Sequence, residues 1–478
     1  MTPPTRSPLQ RALRAATLVL TGQVAAQGLG LARNIVLARL LGPADMGVAA
    51  SIGLLLSFLE ALGDAGTDRL LVQADDGDDP RLQAAAHTAA VGRGAGLALL
   101  AVALGLPLAG AFEVRAQAWG YALVAAILVV RGFAHLDTRR FQRTFRFAPG
   151  ARVDVWASAL ALAAAAPLAL WRRDFSAVLL AMLVQSCAAT VLSHVVAERR
   201  YELSADGARL RRLAAFGLPL ALNGALFFAF LQGDRVLLVL SATKEDVGRF
   251  GAAFALGVLP TVLLARVTQN LALPFLSASR GARDLDARAR AVGAAVGAAA
   301  TVFGAGFAGF GGPVVAALYG AAFRPDAALT VAVAAGAVVR LLREGPVAAA
   351  LSRADTGSVL RSNVVRLSGL GVGVAVALLG GGAAPIVGAA ALGEVVALLH
   401  AAHRLRRHGL SVATVLAPAA PAAAGLASGA AFAAGWTAGA TGLLVVAVAG
   451  AAVGAGRAVR HALPRGAAAP LALGAVAP

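Results

Sequence analysis

The chain alternates between long apolar stretches and short polar gaps. The stretches reach or exceed the roughly 20 residues a helix needs to cross a hydrocarbon core. Spans are predicted near 15–41, 47–73, 84–110, 116–134, 152–171, 175–197 and 213–241 in the first part of the chain. They continue near 247–276, 289–318, 326–350, 358–379, 384–402, 413–435 and 438–458. Residues 213–241 are read as one long helix, because Asp234 and Arg235 fall inside an otherwise continuous apolar pattern. The pattern predicts an all-α integral membrane protein with about fourteen transmembrane helices. The first stretch is too long for a secretory leader, is interrupted by Gln23, Gln27 and Arg33, and is expected to remain as the first span.

The polar gaps set an orientation. Arginines crowd every second gap: Arg139, Arg140, Arg143 and Arg146 with their neighbours Arg131 and Arg152, then Arg199 to Arg212, then Arg280 to Arg290. The series runs on through Arg340, Arg343, Arg353, Arg361 and Arg366, then Arg404, Arg406 and Arg407. Basic loops are retained on the cytoplasmic side, so these gaps are cytoplasmic, and an even span count puts both termini there too. Asp75, Asp76, Asp78 and Asp79 fall on the same side, but acidic residues count little in this rule. The segment 131–152 interleaves arginine with Phe133, Phe141, Phe145 and Phe147, which predicts an amphipathic helix on the cytoplasmic interface.

An internal repeat is legible. RNIVLARLLGPADMGVAAS, starting at Arg33, aligns with DRVLLVLSATKEDVGRFGA, starting at Asp234, so that Asp45 falls on Asp246 and Gly47 on Gly248. Six spans separate the copies, which makes this a parallel repeat of the kind found in two-part transporters. It predicts two pseudo-symmetric six-helix lobes, residues 1–205 and 206–408, with two further helices and a cytoplasmic tail in 409–478.

Composition narrows the function classes. A mean hydropathy of +0.76 and 14% charged residues lie outside the range of soluble globular chains. The net charge of +18 comes from arginines spread over many loops and not gathered on one face, so nucleic-acid binding is not expected. Cys187 is the sole cysteine and forms no intrachain disulfide. GAGFAG at 304–309 has dinucleotide-motif spacing but sits in mid-span without a preceding strand; Gly304, Ala308 and Gly312 instead give the spacing of close helix packing. His400, His403 and His408 lie among Arg404, Arg406 and Arg407 without a carboxylate or cysteine nearby in sequence, which reads as a solvated basic loop. No metal site and no cofactor are expected.

Charge within a span costs about 3 kcal/mol per group on insertion scales, so such residues face protein or water. Arg33 and Arg39 fall in the first span, Glu60, Asp64, Asp68 and Arg69 in the second, Arg93 in the third, Asp234 and Arg235 in the seventh and Arg266 in the eighth. Guanidinium is the side chain suited to phosphate. Arg33, Arg39, Arg69, Arg93 and Arg266 are therefore candidates for lining a cationic lumen that holds an anionic head group. Asp64, Asp68, Asp234 and Arg235 are candidate gate or ion-pair residues.

The segment ARNIVLARLLGPADMG at 32–47 resembles the first-span signature of Wzx-type polysaccharide flippases, which belong to the multidrug/oligosaccharidyl-lipid/polysaccharide exporter superfamily. LGDAGTDRLLVQ at 62–73, RRFQRTFRF at 139–147, FGLPLALNG at 216–224, GDRVLLVL at 233–240, DVGRFGAAFAL at 246–256 and LYGAAF at 318–323 are similar to the same family, in order and spacing. The resemblance implies a multi-pass protein of the bacterial inner membrane. Its implied cargo is an undecaprenyl-diphosphate-linked oligosaccharide bound for a surface polysaccharide such as lipopolysaccharide or exopolysaccharide. It implies a V-shaped two-lobe bundle working by alternating access, with Arg33 at the position of a cavity arginine engaging the diphosphate. Membrane lipids and a polysaccharide polymerase with its export machinery are the implied partners. No covalent step is implied, so the expectation is a transporter and not an enzyme. The rival of the same fold is a cation-coupled multidrug exporter, but a first span with two arginines and no carboxylate is a poor lining for a cation. A membrane polymerase or ligase would need a large outer loop, and every outer gap here is short.

Overall fold

A computed structural model describes residues 8–63 and 66–436, together with five isolated positions between 447 and 458. The protein is all-α, with no strand among the described residues. It divides into two compact units: Met1–Gly251 with Leu318–Phe323, and Ala252–Ala317 with Arg324–Pro478. The first unit holds α1 (Pro8–Leu41), α2 (Pro43–Gly63), α3 (Thr67–Gln73), α4 (Pro80–Ala111), α5 (Gly120–Gly132), α6 (Asp137–Arg143), α7 (Ala148–Arg172), α8 (Ser176–Val195) and α9 (Gly207–Ser241). Helices α10 (Lys244–Ser277) and α11 (Ala282–Tyr319) run from one unit into the other. The second unit adds α12 (Ala327–Ser352), α13 (Thr356–Arg366), α14 (Ser368–Leu378), α15 (Ala383–Leu405), α16 (Val412–Leu416) and α17 (Ala419–Ala433).

Among the described residues, ten helical stretches are long and apolar enough to cross a membrane, and eleven if the bent pair α5–α6 counts as one. Every span predicted between 15 and 435 coincides with a helix or a helix pair. The span expected at 438–458 lies outside the described residues except for those isolated helical positions. The surface confirms the solvent: Leu106 is 75% exposed and Leu378 83%, which in water would be unpaid apolar area but in lipid is the preferred state.

Helix ends follow local chemistry. Gly42, with φ of 89°, closes α1 in the left-handed region, and Pro43 opens α2 with its ring already at helical φ. Asp79 caps α4, accepting from the Arg81 amide at 2.9 Å, with Pro80 at the first position. Asp206 caps α9 through two amides, those of Ala208 and Arg209. The helices run unbroken through Pro107, Pro219 and Pro313; bundles tolerate such sites because neighbours satisfy the freed carbonyls.

The repeat seen in sequence is a contact in space. A Cβ on Gly47 would stand 1.8 Å from the carbonyl oxygen of Lys244, and one on Gly248 would stand 2.1 Å from that of Pro43. The first turns of α2 and α10 therefore cross backbone to backbone, each glycine seated on the other copy's first residue. The equivalence Gly47–Gly248 is a reciprocal one.

Segment 131–152 is not one interfacial helix. It breaks into the end of α5, the short α6 bent by 52°, a turn at Phe145 and the start of α7. The cause is polar anchoring. Arg143 donates to the carbonyls of Leu71, Val72 and Ala74 at 2.7–3.0 Å, closing the C-terminal end of α3. Asp137, fully buried, accepts from Arg140, from Gln83 and from the backbone amides of Glu198 and Arg199. Phe145 is exposed, while Phe141 is buried between the guanidiniums of Arg140 and Arg146.

The same region fastens the strand of chain that joins α8 to α9. His87 Nδ1 lies 3.0 Å from the Glu202 carbonyl and its Nε2 accepts from the Leu136 amide. His135 Nε2 meets the Arg199 carbonyl at 3.1 Å while its Nδ1 accepts from the Asp137 amide. The Tyr201 ring packs against His87, His135 and His194. The acidic run then finds its counterpart: Asp76 pairs with Arg212, Asp78 with Arg199 and Asp79 with Arg209. The carboxylates that seemed misplaced in sequence neutralise part of the basic end they sit on. His408 likewise has a carboxylate partner after all, Asp355 at 2.8 Å, which Arg407 shares.

Candidate functional site

The first unit carries a polar layer inside its apolar body. Arg33, on α1, donates through Nη1 to Gln185 Oε1 on α8 at 2.5 Å and through Nη2 to Asn34 at 3.4 Å. The Gln185 amide in turn donates to Ser158 on α7. The next residue on α8, Ser186, accepts from Arg131 Nε, and Arg131 also pairs with Glu60 on α2. Because Gln185 and Ser186 are adjacent, both networks lie at one depth, and five helices contribute to a single layer.

The two arginines of that layer differ. Arg131 has a carboxylate; Arg33 does not. Among the described residues Arg33 is held only by neutral oxygens, and its Nε is enclosed without a partner. An arginine keeps its charge under all ordinary conditions, so this one stands in an apolar body with its orientation fixed and no counter-ion bound to it. Such a group is poised for an anion that arrives from outside the protein.

The other predicted site residues scatter. Arg39, six residues along α1 from Arg33, lies about 9 Å further along the axis, is exposed, and donates to the Leu318 carbonyl at 2.6 Å. Arg93, on α4, donates to Thr67 Oγ1 at 3.3 Å, beside the junction of α2 and α3. Arg69 is exposed on α3. Asp234 accepts from the Arg235 amide within α9. Asp64 and the side chains of Asp68 and Arg266 lie outside the described residues. The structure thus brings Arg33 into a built network, while Arg93 makes its hydrogen bond elsewhere, at Thr67.

Residues that sequence reasoning passed over complete the layer: Gln185, Ser158 and Ser186, single polar positions in apolar spans with no motif to mark them. Arg131, expected in a basic gap, is exposed at the end of α5 and tied to α2 by Glu60. Arg340, Arg343 and Arg366, also assigned to a gap, sit inside α12 and α13 around Glu394 of α15.

Residues 36–327 match the profile of a family described as "Polysaccharide biosynthesis protein". The chain belongs to that family. No curated protein matches it by sequence. Among solved structures, the polysaccharide biosynthesis chain is similar to one titled "Lipid II flippase MurJ, inward closed conformation", with a TM-score of 0.68 at 11% identity. That likeness covers 92% of this chain and all of the other. It is also similar to an inward-facing multidrug resistance MATE family transporter of the MOP superfamily, with a TM-score of 0.60 at 16% identity over 80% and 95% of the two chains. At these identities the likeness is one of fold.

Proposed function

We propose that the protein is a flippase that moves an undecaprenyl-diphosphate-linked oligosaccharide from the cytoplasmic to the outer leaflet of the bacterial inner membrane for polysaccharide biosynthesis. The observation that carries the reading is Arg33: a permanent cation in the apolar body of the first unit, oriented by Gln185 and Asn34 and without a carboxylate. A diphosphate is the counter-ion it suits, since charge-assisted bonds to phosphate are strongest from a guanidinium already fixed in direction. Family membership in polysaccharide biosynthesis and the flippase fold support the same cargo.

The remaining parts of the proposal follow from the basic end. It faces the cytoplasm, with both termini on that side. Residues 1–205 and 206–408 act as two lobes moving by alternating access, and 409–478 add two helices. Arg39, Arg69, Arg93 and Arg266 serve as further contacts along the substrate's path, and Asp64, Asp68, Asp234 and Arg235 as gate pairs. No bond is made or broken, so the protein is not an enzyme. A polymerase and export machinery receive the product. The multidrug-exporter fold at TM-score 0.60 keeps one rival in view. The carboxylate in the polar layer, Glu60, is already taken by Arg131, and the unpaired charge there is positive, which disfavours a cationic drug.

The test is made in cells lacking the protein. Polyprenyl-linked glycans are measured by mass spectrometry together with the leaflet they occupy. A complete oligosaccharide accumulating on the cytoplasmic side is the expected result, and Arg33→Ala is expected to reproduce it with the protein inserted at normal level. A normal lipid-linked pool with altered sensitivity to cationic compounds would overturn the proposal in favour of drug export.

A further inference from the structure

The basic end of the second unit carries a group of side chains that the sequence assigns to a loop. His400, His403 and Arg404 lie instead in the last two turns of α15. Arg361 joins them from α13, whose chain passes α15 antiparallel. A Cβ on Gly393 would lie 2.4 Å from the Arg366 carbonyl oxygen, and one on Gly369 would lie 2.6 Å from that of Ala389. Five residues back from Arg366 and seven on from Gly393, Arg361 and His400 come level. The charges that act on His400 are Arg404, His403 and Arg361, all of them basic.

The carboxylates of the unit are placed elsewhere. Arg407 and His408, just beyond the cluster, take Asp355. Asp284 holds Arg288, and Asp286 holds Arg290 and Thr414. Asp326 caps the first turn of α12, and Glu394 gathers Arg340, Arg343 and Arg366. Glu344 follows Arg343 in α12 and so stands at the Glu394 level. His400 is six residues, about 9 Å, further along α15, and Arg404 about 15 Å. No Asp or Glu follows Glu394 in the sequence.

Among the described residues no hydrogen bond or ion pair reaches the side chains of Arg361, His400, His403 or Arg404. Two of their nitrogens, His400 Nε2 and Arg404 Nε, are enclosed without a partner. A helix C-terminus favours basic residues in its last turn. It does not satisfy enclosed side-chain nitrogens, which need a partner of their own. Basic groups gathered without a carboxylate call for an anion.

The surroundings say which kind. Two apolar rows start at the cluster and run away from it along the helices. Leu360 and Val364 on α13, and Val396 and Leu399 on α15, are 42% to 62% exposed, and Leu392 continues the second row. Leu360 adjoins Arg361, and Leu399 is one turn before the exposed His403 on the same face. A phosphate free in water has no use for such rows, whereas a phospholipid lays its chains on them.

We propose that Arg361, His400, His403 and Arg404 hold the head group of an anionic phospholipid whose acyl chains lie along the apolar rows of α13 and α15. The site requires neither Arg33 nor the flippase reading.

The test titrates the full-length protein in detergent with phosphatidylglycerol and reads thermal stability, with native mass spectrometry counting retained lipid. Saturable stabilisation is expected from phosphatidylglycerol, and much less from phosphatidylcholine or from glycerol 3-phosphate, which lacks the chains. Arg361→Gln and Arg404→Gln are each expected to weaken the apparent affinity about tenfold, the loss of one charge-assisted contact. Arg404→Lys keeps the charge without the planar fork and is expected to fall between the parent and Arg404→Gln. Arg361 is exposed, so its glutamine variant reports even if Arg404→Gln fails to fold. Arg283→Gln removes an exposed charge from the first turn of α11 and is expected to stay within twofold of the parent. Equal affinity in the parent, Arg361→Gln and Arg404→Lys would overturn the site, as would an equal loss in Arg283→Gln. Glycerol 3-phosphate binding as tightly as the lipid would overturn the lipid as occupant. No transport is measured, so failure here and failure of the flippase proposal are distinguishable.

Discussion

The reciprocal seating of Gly47 and Gly248 yields a quantitative prediction. Alanine at 47 places a methyl 1.8 Å from the Lys244 carbonyl oxygen, and real contacts of that kind begin at about 3.0 Å, so the first turns of α2 and α10 must part by more than 1 Å. Overpacking of this size in a close helix crossing costs about 1–3 kcal/mol. If the crossing exists in one of two working conformations, the population of the other rises by the same free energy, roughly 5- to 150-fold. Alanine at 248 meets the Pro43 carbonyl at 2.1 Å and acts on the same joint. Once either methyl has parted the helices, the second finds room, so the double variant is expected to cost little more than one single variant. The assay is the rate at which a membrane-impermeant maleimide, added from the outer side, labels Ser51→Cys in a Cys187→Ala background. Ser51 is fully buried one turn below Gly47, with Oγ bonded to the Gly47 carbonyl at 2.9 Å. Labelling is expected to speed up 5- to 150-fold in Gly47→Ala. Gly53→Ala, on the same helix with open space around it, is expected to leave the rate unchanged. Rates within twofold of the parent in both Gly47→Ala and Gly248→Ala would refute the crossing as a point of control.

Other outcomes are accessible with the same protein. Arg143→Ala strips one donor from three carbonyls at the end of α3, and a loss of about 1–3 kcal/mol is expected, read as a lower denaturation midpoint. The fastening of residues 197–202 is expected to weaken in acid. Burial, with the nearby positive charges, holds His135 below its ordinary value of 6.5. For Asp137 burial acts upward, but the Arg140 bond and the two backbone amides outweigh it and hold the carboxyl low. Both groups have depressed folded values, so their contribution is complete above about pH 6.5 and declines below it as the unfolded chain takes up protons first. Hydrogen exchange at the Glu198 and Arg199 amides, corrected for intrinsic rate, is expected to accelerate between pH 7 and pH 5.5; a flat profile would refute the role of His135.

The spans were legible because lipid imposes a length and an apolar run on any helix that crosses it, and of α1 to α17 all but α6 fall where those runs lie. The pairing of Gly47 with Gly248 was legible too, since a repeated short motif survives where backbone must meet backbone. What escaped was the fate of individual arginines. Arg131, Arg340, Arg343 and Arg366 look in sequence like members of basic gaps; Glu394 gathers the last three within the second unit, and Glu60 ties the exposed Arg131 to α2. Those partners are 71 and 28 to 54 residues away, beyond any local pattern. Gln185 and Ser158 carry no periodic signature at all. Arg33 was found because a cation amid an apolar run is conspicuous wherever its partners lie.

Lys244 is the one lysine in the sequence, and its carbonyl is the surface on which Gly47 rests. Its amine, half-buried and donating to the Val239 carbonyl at 3.2 Å, is thus the protein's single side-chain target for acylating reagents. A fluorophore or isotopically labelled methyl introduced there by ordinary amine chemistry would report from the helix crossing itself. No engineered reactive residue would be needed, and a chain of 478 residues would give one side-chain amine resonance to watch, beside that of the α-amino group.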